Sequence, residues 1–429
     1  MTSQRNFYGW KLVGVLFALD FINMGFPYFG GAVINTYMLK QIPMSRTTYG
    51  LGFTLFNLFI GLASVAVAAS ILKWGAKATF AIGSALIFCG TLALSLFASK
   101  PLHYLLAFGV IIATGTSFST IIPATTLVAR WFKRYRGRAM AIPLSASGFA
   151  GFVGAPLVNK ILTANGGNWR QAWLFVAAMA IASGVIAVLF VKERPEDLGQ
   201  AVDGVPEDEA ITASADSGKR ITSYAWTPAE AYRTTAYWMI FVGGWACQFP
   251  YFFFVAHWIL HLRTASVTPA IAAWAMGLLT LGGIAGRLIG GALMDKITAR
   301  FAFMMGLCSY FAGSVLALNL STSPLRFAFA AAFLYGIAFG WTFVCLNAIT
   351  ANFYGPEAFP KLNGMMMLLT GVACCPAGFV GGAIFDKFGS YAAAFELNMV
   401  VAALGILALS FATTPRRREA VGVLPSLAV

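Results

Sequence analysis

The segment LGFTLFNLFIGLASVAVAASIL (51–72) contains no charged side chain over its whole length. About 20 apolar residues are enough for a helix to cross the hydrocarbon core of a bilayer. The same composition continues along the chain, which is 59% hydrophobic and 10% charged, with a mean hydropathy of +0.76. Ordinary soluble domains carry about 25% charged residues. The composition therefore predicts an integral membrane protein that exposes most of its surface to lipid.

Twelve apolar segments of this kind follow one another, in two groups of six. Between the groups, VKERPEDLGQAVDGVPEDEAITASADSGKR (191–220) holds eight of the fifteen acidic residues and has no apolar periodicity, which indicates a flexible loop. The sequence thus predicts an all-α integral membrane protein with twelve transmembrane helices in two six-helix repeats. The predicted parts are a bundle at 1–191, a central cytoplasmic loop at 192–234, a bundle at 235–412 and a tail at 413–429. The predicted spans are 11–35, 48–72, 78–98, 102–129, 139–163, 171–191, 236–260, 270–294, 301–320, 325–352, 362–385 and 391–412.

The basic residues indicate how the helices are oriented. Twenty of the 29 Lys and Arg residues fall on the N-terminal segment, the even-numbered loops and the tail, and eight fall on the opposite loops. Cytoplasmic loops of membrane proteins carry such an excess. We therefore expect both termini in the cytoplasm and the protein in the cell inner (plasma) membrane. The net charge of +14 then reflects membrane insertion rather than nucleic-acid binding.

A short internal repeat relates the two groups of helices. GFVGAP (151–156) in predicted helix 5 recurs as GFVGGA (378–383) in predicted helix 11. Repeated halves are a feature of secondary transporters. Each copy also carries small residues four apart, a spacing that lets helices approach closely. The pattern favours a transporter whose helices 5 and 11 have equivalent positions.

The loop after predicted helix 8 carries a recognisable motif. GGALMDKITAR (290–300) resembles the cytoplasmic motif of the major facilitator superfamily, and the resemblance implies a conformational gate formed by Asp295, Lys296 and Arg300. The counterpart after helix 2, AASILKWGAK (68–77), has Leu72 where that motif has an acid.

Within that superfamily, the chain is most similar to the monocarboxylate transporters and oxalate:formate antiporters. The segments that carry the likeness include WFKRYRGRAMAIPLSASGFAGFVGAP (131–156), AHWILHL (256–262) and LLTLGGIAGRLIGGALMD (278–295). The likeness implies transport of a small organic anion. The sequence contains no catalytic triad, phosphate-binding loop or metal cluster, so we predict neither an enzyme nor a cofactor.

Two charged residues, Asp20 and Arg287, fall near the middle of predicted spans, where a charge costs about 2.5–3.5 kcal/mol even on lenient scales. Arg287 in helix 8 matches the arginine to which the resemblance assigns the substrate carboxylate, and its planar guanidinium suits that group. The alternative is a structural counter-ion to Asp20 in helix 1. Asp20 in turn could carry a coupling proton or form a permanent ion pair with Arg287.

Four uncharged or weakly basic residues complete the predicted site. The resemblance implies a helix 7 histidine that contacts substrate or proton, and His257 matches it better than His261, although an interfacial position would explain either. Tyr335, Asn23 and Thr120 are predicted beside the cavity, with helix packing as the alternative for each.

These features predict a monomeric secondary transporter that carries a small monocarboxylate together with a proton by alternating access. Three alternatives remain at this point. Two are other modes of transport, namely organic-anion exchange and efflux of an aromatic or drug-like compound. The third is a non-transporting membrane receptor or scaffold.

Overall fold

The computed structural model describes residues 7–132, 136–204, 226–294, 296–320 and 324–415. Within these ranges the chain forms twelve long apolar helices, here called α1 to α12, as predicted. Two continuous helices, Arg46–Phe97 and Pro324–Cys374, each contain a sharp bend and so contribute to two spans. The helices are α1 (Tyr8–Met38), α2 (46–74), α3 (76–97), α4 (101–131), α5 (Arg136–Ala164), α6 (Trp169–Phe190), α7 (Thr235–Thr264), α8 (Pro269–Met294), α9 (Ala299–Leu318), α10 (324–354), α11 (356–388) and α12 (Ala392–Phe411).

Glycine makes both bends possible. Gly75 separates α2 from α3 with φ +85°, and Gly355 separates α10 from α11 with φ +78°. A positive φ is strained for residues with a Cβ atom and routine for glycine. The 52 residues of Arg46–Phe97 would extend about 78 Å as one straight helix, more than twice the thickness of the hydrocarbon core. The bend therefore lets this segment cross the membrane twice.

The helix ends define two faces of the bundle. The proximal face contains the start of α1 and the bends at Gly75 and Gly355. The distal face contains the end of α1, the start of α2 at Arg46 and the junction of α11 with α12 at Tyr391.

The two repeated segments both lie where one half of the molecule meets the other. On α5, a Cβ atom at Gly151 would lie 2.2 Å from Cγ2 of Thr280 on α8. On α11, a Cβ atom at Gly378 would lie 2.4 Å from the carbonyl oxygen of Gly50 on α2. The small residues thus allow backbones of opposite halves to approach to within contact distance. The two halves are joined along α5–α8 and α2–α11.

Hydrogen bonds close the distal face between the halves. The Asp386 carboxylate on α11 accepts from the backbone N–H groups of Arg46 and Thr47 at 3.2 and 2.9 Å and from the Thr47 hydroxyl. An acceptor placed on the free N–H groups at the start of a helix is favourable, and a negative charge there also complements the helix dipole. Arg263 on α7 donates to the Thr36 hydroxyl and carbonyl at 2.9 and 3.3 Å. This conformation is therefore shut at the distal face.

Several predicted regions lie partly outside the described residues. Of the central loop at 192–234, the structure describes short helical turns at Pro195–Leu198 and Val202–Gly204 and a helix at Pro228–Tyr232. Residues 205–225, the positions 133–135 of the basic cluster, and most of the 413–429 tail are not described. The predicted orientation of the termini stays a prediction.

Candidate functional site

Helix α1 is interrupted close to its polar residues. A π-helical stretch, Gly25–Gly30, follows directly after Asn23 and Met24. Such stretches occur frequently at functional sites because they displace side chains from regular helical positions. The Asn23 amide is buried and donates to the Ser119 carbonyl at 3.2 Å and to the Ser183 hydroxyl at 2.7 Å. Asn23 therefore connects α1 to α4 and α6 within the first half.

Helix α4 is also broken at this level. Ser119 and Thr120 leave the helical conformation, with φ/ψ of −122°/19° and −130°/−119°. The Asn23 amide donates to a carbonyl at this break, and the Thr120 hydroxyl donates to the Thr116 carbonyl at 2.7 Å. Irregular backbone at membrane depth is tolerated where it is buried in protein or lines a cavity. Both predicted residues support this break; their contact with substrate stays a prediction.

Asp20 is the buried carboxylate of α1. Its side chain is 3% exposed, and neither carboxylate oxygen has a hydrogen-bond partner among the described residues. The groups that interact with it electrostatically are the Ser147 backbone on α5 and the Arg287 guanidinium on α8. Burying an unpartnered polar group is unfavourable. A carboxyl group in such a buried environment therefore suggests a function other than helix packing.

The packing of α8 determines where Arg287 points. Gly282 and Gly286 face α10, where added Cβ atoms would collide with the Phe333 and Ile337 carbonyls. Thr280 and Ile284 form a second face that packs on Gly151 and Gly148 of α5. Arg287 follows Ile284 by three residues and Thr280 by seven, so it continues this second face by one turn. Its side chain therefore lies on the side of α8 that faces the first half.

Arg287 is partly buried and has no direct partner. Its guanidinium donates no hydrogen bond to any described residue and lies more than 4.0 Å from every described carboxylate oxygen. Asp20 and Arg287 thus influence each other electrostatically without forming a direct ion pair. The arrangement leaves the planar donor fork of Arg287 available to a ligand.

A pair of tyrosines beside these charges was not predicted. The tetrapeptide FPYF occurs at 26–29 in α1 and again at 249–252 in α7, which are equivalent helices of the two halves. Its tyrosines, Tyr28 and Tyr251, interact electrostatically with each other, and Tyr251 also interacts with Arg287. Tyr28 is 1% exposed, and its hydroxyl has no partner in the described part of the chain. A search for further exact four-residue repeats between the halves would have revealed this pair.

The predicted histidines lie towards the distal face. His257 is fully buried; its Nε2 lies 2.7 Å from the Gly378 carbonyl and its Nδ1 lies 3.1 Å from the Tyr391 hydroxyl. A carbonyl only accepts, so Nε2 carries the proton and Nδ1 accepts from Tyr391. Arg46 donates to the same hydroxyl at 3.1 Å. His257 therefore belongs to the distal closure, and its predicted contact with substrate stays a prediction.

Tyr335 and His261 are held by other contacts within the second half. The Tyr335 hydroxyl bonds Ser314 at 2.6 Å and accepts from Asn398 at 3.2 Å, and the side chain is fully buried. His261 donates from Nε2 to the Ala317 carbonyl at 3.1 Å. Both residues thus have structural partners in this conformation.

An ion pair lies at the bend between α2 and α3, three residues after Leu72, the position at which the sequence lacks the acid of the motif. Leu72 is 86% exposed, but Glu193, just beyond α6, reaches the bend between α2 and α3. Its carboxylate pairs with Arg130 at 2.6 Å and accepts from the Lys77 backbone N–H at 2.6 Å. A Cβ atom at Gly75 would lie 2.6 Å from the same carboxylate, and the φ of +85° at this position favours glycine. Sequence analysis missed Glu193 because it was assigned to the central loop.

The predicted gate after α8 is only partly described. Asp295 lies outside the described residues, and Lys296 is exposed. Arg300 at the start of α9 donates to the Ala412 carbonyl at the end of α12 at 3.1 Å. Arg300 therefore links the start of α9 to the end of α12 at the proximal face. The gating role of the three residues stays a prediction.

Comparisons with known proteins agree with this architecture. Over residues 12–265 and 252–426, the sequence matches the family model described as the Major Facilitator Superfamily. It is 25% identical to monocarboxylate transporter 13 of Bos taurus over 337 residues, which cover 78% of this chain and 74% of that protein. It is also 25% identical to monocarboxylate transporter 12 of Rattus norvegicus over 351 residues, covering 76% and 70% respectively.

Solved structures share the fold at low sequence identity. The nucleoside transporter NupG superposes with a TM-score of 0.71 at 13% identity, over 93% of this chain and 99% of that one. A bacterial homologue of the human lysosomal transporter Spinster, in an inward-facing and unoccupied conformation, gives 0.68 at 18% identity, over 96% and 98%. These likenesses confirm the predicted fold. The chain belongs to the major facilitator superfamily and is a multi-pass membrane transporter related to the monocarboxylate transporters.

Proposed function

We propose that this transporter carries a small monocarboxylate together with a proton. The proposal rests on the environment of the Arg287 guanidinium. This group lies between the halves, and its donors bond no described residue. The Asp20 carboxylate, which has no described hydrogen-bond partner, lies within electrostatic range. A carboxylate accepts two parallel N–H bonds from a guanidinium, and each charge-assisted bond contributes about 1.5–3 kcal/mol. One substrate carboxylate would occupy two of the five N–H donors of Arg287.

The two tyrosines complete the proposed binding site. Tyr251 stacks on Phe339 of α10 with ring centroids 3.9 Å apart and an interplanar angle of 15°, which fixes the position of its ring. The Tyr28 hydroxyl, which has no described partner, comes from the opposite half. A substrate that bonds Arg287 and both hydroxyls would contact both halves. Such a substrate can favour their relative movement, as alternating access requires.

Asp20 is the proposed proton carrier. Its negative charge attracts Arg287 and competes with an anionic substrate, so protonation would favour anion binding. Return of the empty carrier would follow loss of both substrate and proton. His257 would add a second titratable group at the distal closure, because a proton on Nδ1 would turn this nitrogen from an acceptor into a donor towards Tyr391.

The charge distribution supplies the proposed orientation. In the sequence, twenty of the 29 basic residues fall on the N-terminal segment, the even-numbered loops and the tail. The described bends after α2 and α10 belong to the proximal face, which we therefore take as cytoplasmic, with both termini there. With this orientation, closure at the distal face means that this conformation is shut towards the outside. The protein would work as a monomer in the cell inner (plasma) membrane, because the Arg287 site is built within one chain.

The proposal is tested by uptake into proteoliposomes that contain purified protein. We expect a labelled monocarboxylate to accumulate against its own gradient when the outside is acidified, and not when the pH is equal on both sides. Empty liposomes exposed to the same gradient correct for passive entry of the protonated acid. Uptake that ignores the pH gradient and requires an anion inside would instead establish an exchanger. Protein-dependent uptake of an aromatic compound with no carboxylate uptake would establish the efflux alternative.

A further inference from the structure

We infer that the contact between α5 and α8 carries a binding site for one anionic glycerophospholipid, with an acyl chain between the helices and the phosphate at Lys160. A groove of about 430 Å³ lies between these helices in the distal part of the molecule. Its lining combines an apolar wall with a polar end and consists of Phe152, Val153, Pro156, Leu157, Asn159, Lys160, Thr163, Ala270 and Trp274.

The groove faces the lipid rather than the transport path. Ala150 and Val158 of α5 point inwards, against Gly25 and Gly30 of α1. Val153 and Leu157 point the other way and are 43% and 38% exposed. At the distal end the halves are closed on each other, so these side chains are exposed to the bilayer.

The dimensions of the groove match one lipid leaflet. It begins at Phe152, whose ring meets that of Trp274 at 5.7 Å, and reaches Thr163 eleven residues later on the same helix. At 1.5 Å per residue this is about 16 Å, close to half of a hydrocarbon core about 30 Å thick. An acyl chain in the groove would therefore place its phosphate at the level of Lys160 and Thr163.

The polar end of the groove has the chemistry for a phosphate. Asn159 is only 5% exposed, yet its amide makes no hydrogen bond with the described protein, and its Oδ1 is buried without a partner. Lys160 is exposed and has no described carboxylate within 4.0 Å. An ammonium at this depth can extend towards the headgroups and attract an anionic lipid. The Lys160 ammonium and the Asn159 Nδ2 group are donors without a described acceptor, and the oxygens of a lipid phosphate would accept from both.

A second groove in the same molecule provides an internal comparison. It lies between α3 and α6, has a volume of about 510 Å³ and is lined by apolar and small residues such as Ala85, Phe88 and Val185, with no charged side chain. We expect this groove to accept lipid chains without preference for the headgroup. The preference for an anionic lipid should come from Lys160 alone.

The position of the site suggests a consequence for transport. The lipid would lie against α5 and α8, whose contact through Gly151 and Thr280 joins the two halves. Relative movement of the halves changes this contact, so a bound lipid would favour one conformation over the other.

The test compares phosphatidylglycerol with phosphatidylcholine of the same acyl chains, titrated into delipidated protein in detergent. Thermal unfolding and native mass spectrometry report binding. One lysine near the membrane surface contributes about 1 kcal/mol, so wild-type protein should bind phosphatidylglycerol about five-fold more tightly. Lys160→Glu and Lys160→Ala should remove this preference, and Val153→Trp should weaken binding of both lipids at this groove. Lys100→Glu, at another exposed distal lysine, should retain the preference.

Equal binding of the two lipids by wild-type protein would overturn the inference. So would a preference that survives Lys160→Glu, or a stabilisation by inorganic phosphate as large as that by phosphatidylglycerol, which would indicate a site for a free anion. None of these outcomes depends on which solute the protein transports.

Discussion

Replacing Arg287 by lysine should reduce the transport efficiency of monocarboxylate uptake, that is, the ratio of turnover rate to KM, by about 10- to 100-fold. Lysine retains the positive charge but has one compact ammonium in place of the planar fork, so one of two charge-assisted bonds to the substrate is lost. Initial uptake rates in proteoliposomes over a range of substrate concentrations measure the effect.

The protein should remain folded, because Arg287 donates no hydrogen bond and forms no salt bridge that the structure describes. Arg326→Lys is the matched control, since Arg326 is exposed at the start of α10. Normal uptake by Arg287→Lys protein with an unchanged melting temperature would show that Arg287 does not bind the carboxylate.

Replacing Asp20 by asparagine should abolish accumulation driven by a pH gradient while substrate exchange across the membrane continues. Asparagine resembles the protonated acid and cannot release a proton, so the loaded carrier can still change conformation but the coupling is lost. Counterflow exchange, proton-driven uptake and melting temperature are measured on one preparation. Glu196→Gln, which likewise replaces a carboxylate by an amide but at an exposed position of the central loop, should behave as wild type.

A purely structural role for Asp20 predicts a different result. Breaking a buried ion pair typically destabilises a protein by about 3–5 kcal/mol, so stability, exchange and accumulation would then be lost together. Since Asp20 and Arg287 lie more than 4.0 Å apart here, we expect a small change in stability. Unimpaired accumulation by Asp20→Asn protein would exclude Asp20 as the proton carrier and leave His257 or the substrate itself.

The fold could be predicted from the sequence because membrane-spanning helices have a strong compositional signal. Long apolar segments and the GFVG repeat were enough to predict twelve helices and to pair α5 with α11. The small residues of that repeat, Gly151 and Gly378, indeed lie at contacts between the halves. Helix ends were less predictable, since the bends at Gly75 and Gly355 join spans into continuous helices.

The proposed site was less predictable because part of it consists of ordinary residue types. Charges near the middle of a span are rare, so Arg287 and Asp20 could be chosen as candidates by sequence position alone. Tyrosines are frequent in spans, and nothing in the composition distinguishes Tyr28 and Tyr251 from packed residues such as Tyr335, which bonds Ser314 and Asn398. Only the repeated FPYF tetrapeptide distinguishes Tyr28 and Tyr251 from the other tyrosines of the spans.

The partners of residues in loops and at helix ends could not be predicted because they depend on tertiary contacts. Glu193 reaches the bend at Gly75 from beyond α6, and Asp386 reaches the start of α2 from the end of α11. Both contacts join residues more than 100 positions apart. Their sequence neighbourhoods give no indication of these partners.

Recognition of a carboxylate by Arg287 is the central claim, and competition between a monocarboxylate and its own amide tests it most directly. The amide keeps the shape of the acid but carries no charge and cannot accept two bonds from the guanidinium. In proteoliposomes, the unlabelled acid should inhibit uptake of its labelled form at least about 10-fold more strongly than the amide does. In Arg287→Lys protein the difference should shrink. Equal inhibition by acid and amide in wild-type protein would contradict the account.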